Sequence, residues 1–235
     1  MRPNEYLTRA AADDLPLDLD DALRHLGDHL PLLHRLADTE QDPEWHAEGD
    51  VATHTRMVIA ELELQLAPNA DILNARQRFI MRASALLHDI AKPLTTTRAV
   101  LHDGVEHVVA PRHAQRGASY LPLRLAQLGV PTADLLAIIA LVRHHHDPKH
   151  LVIKDKPDAS YHRLARAAWM RGLYWLEQAD MRGRTCADRD EQITFIDLFG
   201  MRAQETNTWE SAWDAGNPHL ERTFCDPIRD ALSSD

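Results

Sequence analysis

The segment from Arg76 to Ala91 constrains this chain more than any other. Phe79, Ala83, Leu86, Leu87 and Ile90 recur there at helical spacing, which predicts a helix with an apolar face, ended by Pro93. Near the end of that run, in Ala85-Leu-Leu-His-Asp-Ile-Ala-Lys-Pro, stand His88 and Asp89. A charged carboxylate beside a hydrophobic face costs several kcal/mol unless something compensates it. A divalent metal does so, with the adjacent imidazole as a second ligand. Alone the dipeptide is a weak signal, because most such pairs are structural. Its meaning depends on what other helices bring to it.

Those other helices are legible. Asp20–Leu36 reads as a first amphipathic stretch broken near Pro31. Asp50 or Thr53 can cap a second helix through Val58, Ile59, Leu62 and Leu66, stopped by Pro68. After Pro93 the pattern changes. Ala99-Val-Leu-His and Val105-Glu-His-Val-Val flank Asp103-Gly104, a two-residue turn signal that predicts a small β-hairpin between helices. Further helices are expected from near His113 to Gly129, over Leu135–His146 with Thr132 as cap and Pro148 as stop, and over roughly Asp190–Thr206. A long one is expected from Ser160 through Trp169, Leu173 and Leu176 to Asp180. The expected architecture is one all-α domain, a helical bundle with a hairpin insertion near residues 99–109. An acidic helical segment at 1–45 packs on a core at 46–206, and a polar tail at 207–235 folds back through Trp209, Trp213 and Phe224.

Two of these helices carry further core-directed polar groups. His54 lies in Glu48-Gly-Asp-Val-Ala-Thr-His-Thr. Asp180 shares the apolar stripe of Trp169, Leu173 and Leu176 and so needs compensation, either from an arginine or from a metal. His54, His88, Asp89 and Asp180 make a mixed nitrogen and oxygen set, which suits Mn, Fe, Co, Ni or Zn better than Ca. His113 opens a helix, and the run His144-His-His-Asp closes another. Histidines at a helix C-terminus are commonly surface groups that favour the helix dipole. The functional reading is that one of them, with His113, binds a second metal or a phosphate.

The net charge of −10 is uneven. Residues 1–50 hold thirteen acids against four bases, whereas residues 51–200 hold sixteen against nineteen. A general nucleic-acid binder needs more cations than this, but the mildly basic middle permits one small phosphate-bearing substrate or one nucleic-acid end. No stretch approaches the ~20 apolar residues of a membrane span, and the polar, acidic start does not read as a signal peptide. Cys186 and Cys225 lie far apart and form no ligand motif. A cytoplasmic protein with reduced thiols is the simplest expectation, and one long-range disulfide is the lesser alternative.

The order His54, His88-Asp89, Asp180 resembles the HD superfamily of metal-dependent phosphohydrolases, over about Glu48 to Arg184. His-Asp-Ile-Ala-Lys-Pro resembles the His-Asp-x-x-Lys signature, which implies Lys92 as a phosphate contact. Leu141-Val-Arg-His-His resembles the segment where many such enzymes place another active-site histidine, here His145 rather than His144 or His146. Gln178-Ala-Asp-Met-Arg-Gly-Arg resembles the end of the HD domain in bacterial tRNA nucleotidyltransferases and implies Asp180 as ligand and Arg184 as substrate-facing cation. The whole pattern is similar to the HD module of bacterial RNA-end-healing enzymes, where it is joined to a polynucleotide kinase. The resemblance implies one or two divalent transition-metal ions held by His54, His88, Asp89, Asp180, His113 and His145. It implies removal of 2′-phosphates or opening of 2′,3′-cyclic phosphates on nucleotides or RNA ends.

In that reading Lys92 and Arg184 neutralise phosphoryl charge, Asp89 can bridge two ions, and His113 and His145 complete a second site or protonate the leaving oxygen. The hairpin walls the pocket, and Arg112 and Arg116 either help guide phosphate or, more simply, are solvated surface groups. The chain has no Gly-x-x-x-x-Gly-Lys-Ser/Thr loop, so a kinase or ligase partner would be encoded elsewhere or fused beyond this sequence. The Gly-Tyr-Pro extension of cyclic-di-nucleotide phosphodiesterases is missing after His145. The alternatives are a nucleotidase, cyclic-nucleotide or dinucleoside-polyphosphate hydrolase acting on free nucleotides, or a non-catalytic HD module that positions RNA or a protein.

Overall fold

In the computed structural model, which describes residues 2–210, the apolar run around Phe79 forms α4 (Ala75–Leu87). Asn74 starts it with a reciprocal capping box: its side chain accepts the Gln77 N–H at 2.9 Å and the Gln77 side chain accepts the Asn74 N–H at 3.0 Å. The helix is buried on most of its circumference, through Phe79, Ile80, Met81 and Ala83 to Leu87. It stops sooner than its sequence period suggests. His88 is the C-cap, a turn covers His88–Ala91, and a short α5 (Lys92–Thr95) follows. Pro93 lies in the first turn of α5, where its missing N–H has no helical partner to lose, so it starts a helix rather than ending one.

α3 (Val51–Leu66) and α10 (Met170–Arg182) pack against each other and against α4. Asp50 caps α3, accepting the Thr53 N–H at 2.9 Å. Val51, Ala52, Val58, Leu62 and Leu66 face inward from it, and burying each leucine contributes about 1.5–3 kcal/mol. The long helix expected from Ser160 is two helices. α9 (Asp158–Ala167) ends at an extended Ala168 (φ −154°, ψ 162°), and α10 restarts after Trp169. The break lets the Trp169 ring turn into the core over Gly172, where a Cβ would lie 2.4 Å from the ring.

α6 (His113–Gln127) ends before Gly129, whose φ of 77° a side chain would strain, and packs on α7 (Thr132–His144). Thr132 is the first helical residue of α7 and not its cap, which is Pro131. Pro148 does not close this helix; it sits in the first turn of α8 (Asp147–Ile153). α11 (Arg189–Glu205) packs on α8 and α10.

At the N-terminal side, the single stretch expected over Asp20–Leu36 is α2 (Leu19–Leu26), capped by Asp18, followed by a separate 3-10 turn at Pro31–Arg35. α1 (Pro3–Ala12) buries Tyr6, Leu7 and Ala10. Arg82 of α4 clamps this region, reaching Asp14 at 2.6 Å and Glu63 of α3 at 2.7 Å. β1 (Thr97–Val100) and β2 (Glu106–Val109) form the antiparallel hairpin, paired from Thr97 with Val109 to Val100 with Glu106. Its turn is wider than the two residues expected. Leu101 N–H donates to Val105 O and Gly104 N–H to Leu101 O, both at 3.0 Å. That is a three-residue turn with Gly104 left-handed (φ 79°). Trp209 packs edge-on against Tyr174, at 5.4 Å between ring centroids. Trp213, Phe224 and Cys225 lie outside the described residues. Among the described residues, no helix is long and apolar enough to cross a membrane.

Candidate metal centre

Five elements converge on one buried polar centre. α3 brings His54, the turn after α4 brings His88 and Asp89, and α10 brings Asp180. The start of α6 brings His113, and the end of α7 brings His145 and His146. His54, His88, Asp89, Asp180 and His145 are all at most 2% exposed.

The histidines are oriented by a shared local device. Nδ1 of His88 lies 2.7 Å from Ala85 O, that of His113 2.7 Å from Ala110 O, and that of His145 2.8 Å from Val142 O. A carbonyl only accepts, so each Nδ1 carries the proton and each Nε2 presents a lone pair. His54 is fixed from farther away: its Nδ1 faces Glu48 Oε1 at 3.0 Å and Gly183 O at 3.2 Å. Glu48 Oε1 also lies 2.8 Å from His46 Nδ1, and its Oε2 accepts the Thr185 N–H at 2.9 Å. Such outer partners set the tautomer and aim of a ligand.

The free Nε2 atoms gather in two groups. Ligand atoms of His54, His88 and Asp180 all lie within 4.8 Å of one another, as do those of His113, His145 and His146. Asp89 stands between the groups. Its Oδ2 is 3.3 Å from His88 Nε2 and 3.8 Å from His54 Nε2, and its Oδ1 is 3.2 Å from His113 Nε2. His54 Nε2 is 3.0 Å from Asp180 Oδ1. Two cations flank the carboxylates: Lys92 Nζ is 2.7 Å from Asp89 Oδ2, and Arg184 reaches both Asp180 oxygens, at 3.1 and 2.7 Å. Lys92 also donates to Gln41 Oε1.

These residues fit a metal by what protein partners leave undone. His88 Nε2 and Asp89 Oδ1 are buried without a hydrogen-bond partner, which costs about 1–3 kcal/mol for each such group. His113 Nε2 and His145 Nε2 lie 3.3 Å apart although both rings spend their proton on a carbonyl. Two facing lone pairs at that distance call for a cation between them.

The electrostatics agree. Burial, then repulsion from His113 and His88, pushes His145 down to about 3, and burial also lowers His113 and His146. All three stay neutral, as metal ligands must. Burial works against the charge of Asp89, but Lys92, His88 and His113 hold its carboxyl well below the usual range. Burial likewise opposes ionisation of Asp180, and Arg184 and His54 outweigh it. His88 is held above its ordinary value against burial, chiefly by Asp89 and then Asp180: the two carboxylates draw positive charge toward it.

Every residue singled out as ligand or phosphate contact therefore lies at this centre: His54, His88, Asp89, Lys92, His113, His145, Asp180 and Arg184. His144 turns away to Asp147, at 2.7 Å. Arg112 and Arg116 are exposed. The hairpin does wall the adjacent cleft, through Val108 and Val109 of β2, but its turn does not line it. The sequence ranked His146 behind His145, yet His146 enters beside it, because the chain leaves α7 there and both rings face inward. Sequence reasoning passed over His46, Glu48 and Gln41. Their only trace was His46-Ala-Glu48 just ahead of a capped helix carrying an inward histidine.

Comparison with known proteins gives the family. The chain is 27% identical over 194 residues to the Multifunctional CCA protein of Thioalkalivibrio sulfidiphilus (strain HL-EbGR7), covering 77% of this chain and 42% of that protein. It thus spans about two fifths of the length of that relative. The HD domain model matches residues 51–172, over half of the sequence, and includes α3, the His88-Asp89 turn and the two histidines after α7. The chain belongs to the HD domain family, a superfamily of metal-dependent hydrolases.

Proposed function

We propose that the protein is a metal-dependent phosphohydrolase acting on phosphoesters of nucleotides or RNA ends, with 2′-phosphates or 2′,3′-cyclic phosphates as its substrates. The observation that carries this reading is Asp89, whose two oxygens face two separate histidine groups beside a cleft lined by Lys92 and Arg184. The residues that would hold a first ion are His54, His88, Asp89 and Asp180; those for a second are His113, His145 and His146, with Asp89 shared. A divalent transition metal bound there (Mn, Fe, Co, Ni or Zn, one ion or two) supplies an acidified water and polarises phosphoryl oxygens.

The chain's own groups do the rest. Lys92 and Arg184 are anchored on the ligand carboxylates, so their cationic heads are held rigidly at the cleft, where they orient a phosphate and offset the charge that develops on its oxygens. His145 is held neutral by burial, which supports a ligand role and not that of proton donor to the leaving oxygen. The likeness to the Multifunctional CCA protein agrees with the motif at Gln178–Arg184, and both support a nucleotide or RNA-end substrate. A separately encoded or fused kinase or ligase would act on the ends this chemistry exposes.

The test is an assay of 2′-, 3′-, 5′- and 2′,3′-cyclic phosphates with Mn²⁺, Co²⁺ or Ni²⁺. His88→Ala and Asp89→Ala should lose both turnover and metal content while keeping their helical circular dichroism. Lys92→Ala should keep its metal and lose about 10²–10³-fold in rate. Normal turnover by the purified Asp89→Ala protein would sink the assignment, and loss of metal from Lys92→Ala would refute its substrate role.

A further inference from the structure

The cleft over the metal centre encloses about 180 Å³, below the ~300–1,000 Å³ common for sites that bury a drug-sized ligand, and it opens to solvent at its mouth. Lys92, His113, His146 and Arg184 of the metal centre line it together with Trp45. The functional reading above assigns Trp45 no part.

Trp45 is half-buried, and one face of its indole is already covered. The His107 ring of β2 lies flat against it, with centroids 4.7 Å apart and planes 9° from parallel. His107 is itself immobilised. Its Nδ1 is 3.1 Å from Asp42 Oδ2 and its Nε2 is 2.9 Å from Asp103 Oδ2. Carboxylates only accept, so both ring nitrogens donate and the ring is an imidazolium. Asp103 first, and Asp42 with it, hold its pKa above the ordinary value against burial. Asp42 is pinned in turn by the backbone N–H groups of Val108 at 2.8 Å and Glu44 at 3.0 Å. This cluster is saturated by hydrogen bonds and has no orphaned ligand atom of the kind found at His88 and Asp89. Its effect is to clamp the indole by stacking on a cation, leaving the rest of the ring as a preorganised aromatic wall in the cleft that Lys92 and Arg184 also line.

The neighbouring polar side chains are already engaged. Gln41 accepts from Lys92 and donates to Asp50 O, and Thr96 Oγ1 donates to Lys92 O. Val109 and Ala110 complete the wall with apolar atoms. The wall therefore offers a π-face and few free hydrogen-bonding groups to read one base edge against another.

We propose that Trp45, backed by His107, is a stacking platform for the nucleobase of a nucleoside phosphate whose phosphate faces Lys92 and Arg184, and that it accepts any base. This rests on the phosphohydrolase reading and adds to it the part of the substrate beyond phosphorus. The nucleoside can be free or the terminal residue of an RNA.

Calorimetric titration of the as-purified protein separates the parts. The probes are inorganic phosphate, adenosine 2′-monophosphate, uridine 2′-monophosphate and an adenylyl dinucleotide ending in a 2′-phosphate. Wild type should bind the nucleotides more tightly than phosphate, and adenosine and uridine within a few-fold of each other. The tighter of mononucleotide and dinucleotide identifies the source of the base. Trp45→Leu should bind phosphate as wild type does but lose about 5- to 100-fold in affinity for each nucleotide, and Trp45→Phe should recover most of that loss. Unchanged phosphate binding in Trp45→Leu also reports that the variant is folded. Equal nucleotide affinity in wild type and Trp45→Leu overturns the platform, as does wild type that binds nucleotide no better than phosphate; both leave the phosphate reading standing. Wild type that binds neither probe overturns both.

Discussion

Arg184→Met tests whether the buried charges of this centre are arranged for a metal. Arg184 is largely buried, with its edge at the cleft, and donates to both oxygens of Asp180, at 3.1 and 2.7 Å. Methionine keeps much of the volume and removes the charge. Taking one partner from a buried ion pair costs about 3–5 kcal/mol, because the other charge stays behind. The Arg184 side chain keeps about 10% exposure at the cleft, so water screens part of the charge left behind, which places the loss near the low end, about 3 kcal/mol. For a chain of this size that is a fall of roughly 6–12 °C in melting temperature. The fall should appear in chelator, where nothing else compensates Asp180. A Mn²⁺ ion that bound only the folded state would stabilise wild type by about 2.7 kcal/mol at a hundred times its Kd. The variant should gain more than wild type at equal Mn²⁺, since a cation that shares Asp180 with the metal has been removed. Scanning calorimetry of both proteins, with EDTA and with Mn²⁺, decides. Equal melting in EDTA would mean that Asp180 carries no buried charge. A Mn²⁺ shift in the variant no larger than in wild type would mean that Arg184 and the metal do not share it.

Two other positions give independent tests. Glu177 is 1% exposed with one oxygen unpaired, and burial pushes its carboxyl up to about 8. The folded protein then holds a proton that the unfolded chain releases above about pH 4.5. Stability from this group is complete below that value and declines toward pH 8, by at most about 1.4 kcal/mol per unit. Glu177→Gln should flatten that decline in urea unfolding at pH 5 and 7.5, and an unchanged slope would refute the assignment. Gly183 has an ordinary φ of −74°, but a Cβ there would lie 2.8 Å from Val58 N and 2.9 Å from its Cγ2. Gly183→Ala should therefore force the end of α10 away from α3, cost about 1–3 kcal/mol, and weaken Mn²⁺ binding because Gly183 O helps aim His54. Wild-type stability together with wild-type Mn²⁺ affinity would show that the close approach is dispensable.

What the amino-acid sequence determined by itself was local. Apolar spacing, the Asp50 cap and the Gly129 stop are short-range properties of the chain, so α3, α4, α6 and α11 could be read from them within a few residues. The demand for a cation near Asp89 and Asp180 was also legible, because a carboxylate on an apolar stripe is anomalous in one dimension. Where competing local signals met, the sequence was ambiguous. Proline can end a helix or sit in the first turn of the next, and only packing chose the second at Pro93 and Pro148. Nothing in Ala168-Trp169 marks a break; the core's room for an indole over Gly172 made one. The tertiary structure alone decided that His146 joins His145, that Asp89 divides its two oxygens between two histidine groups, and that Lys92 and Arg184 are tethered to the carboxylates. It alone set Trp45 on His107, between carboxylates more than fifty residues apart in sequence. Those are contacts between helices, turns and a hairpin, and their geometry follows from how the elements pack and not from the spacing within any one of them.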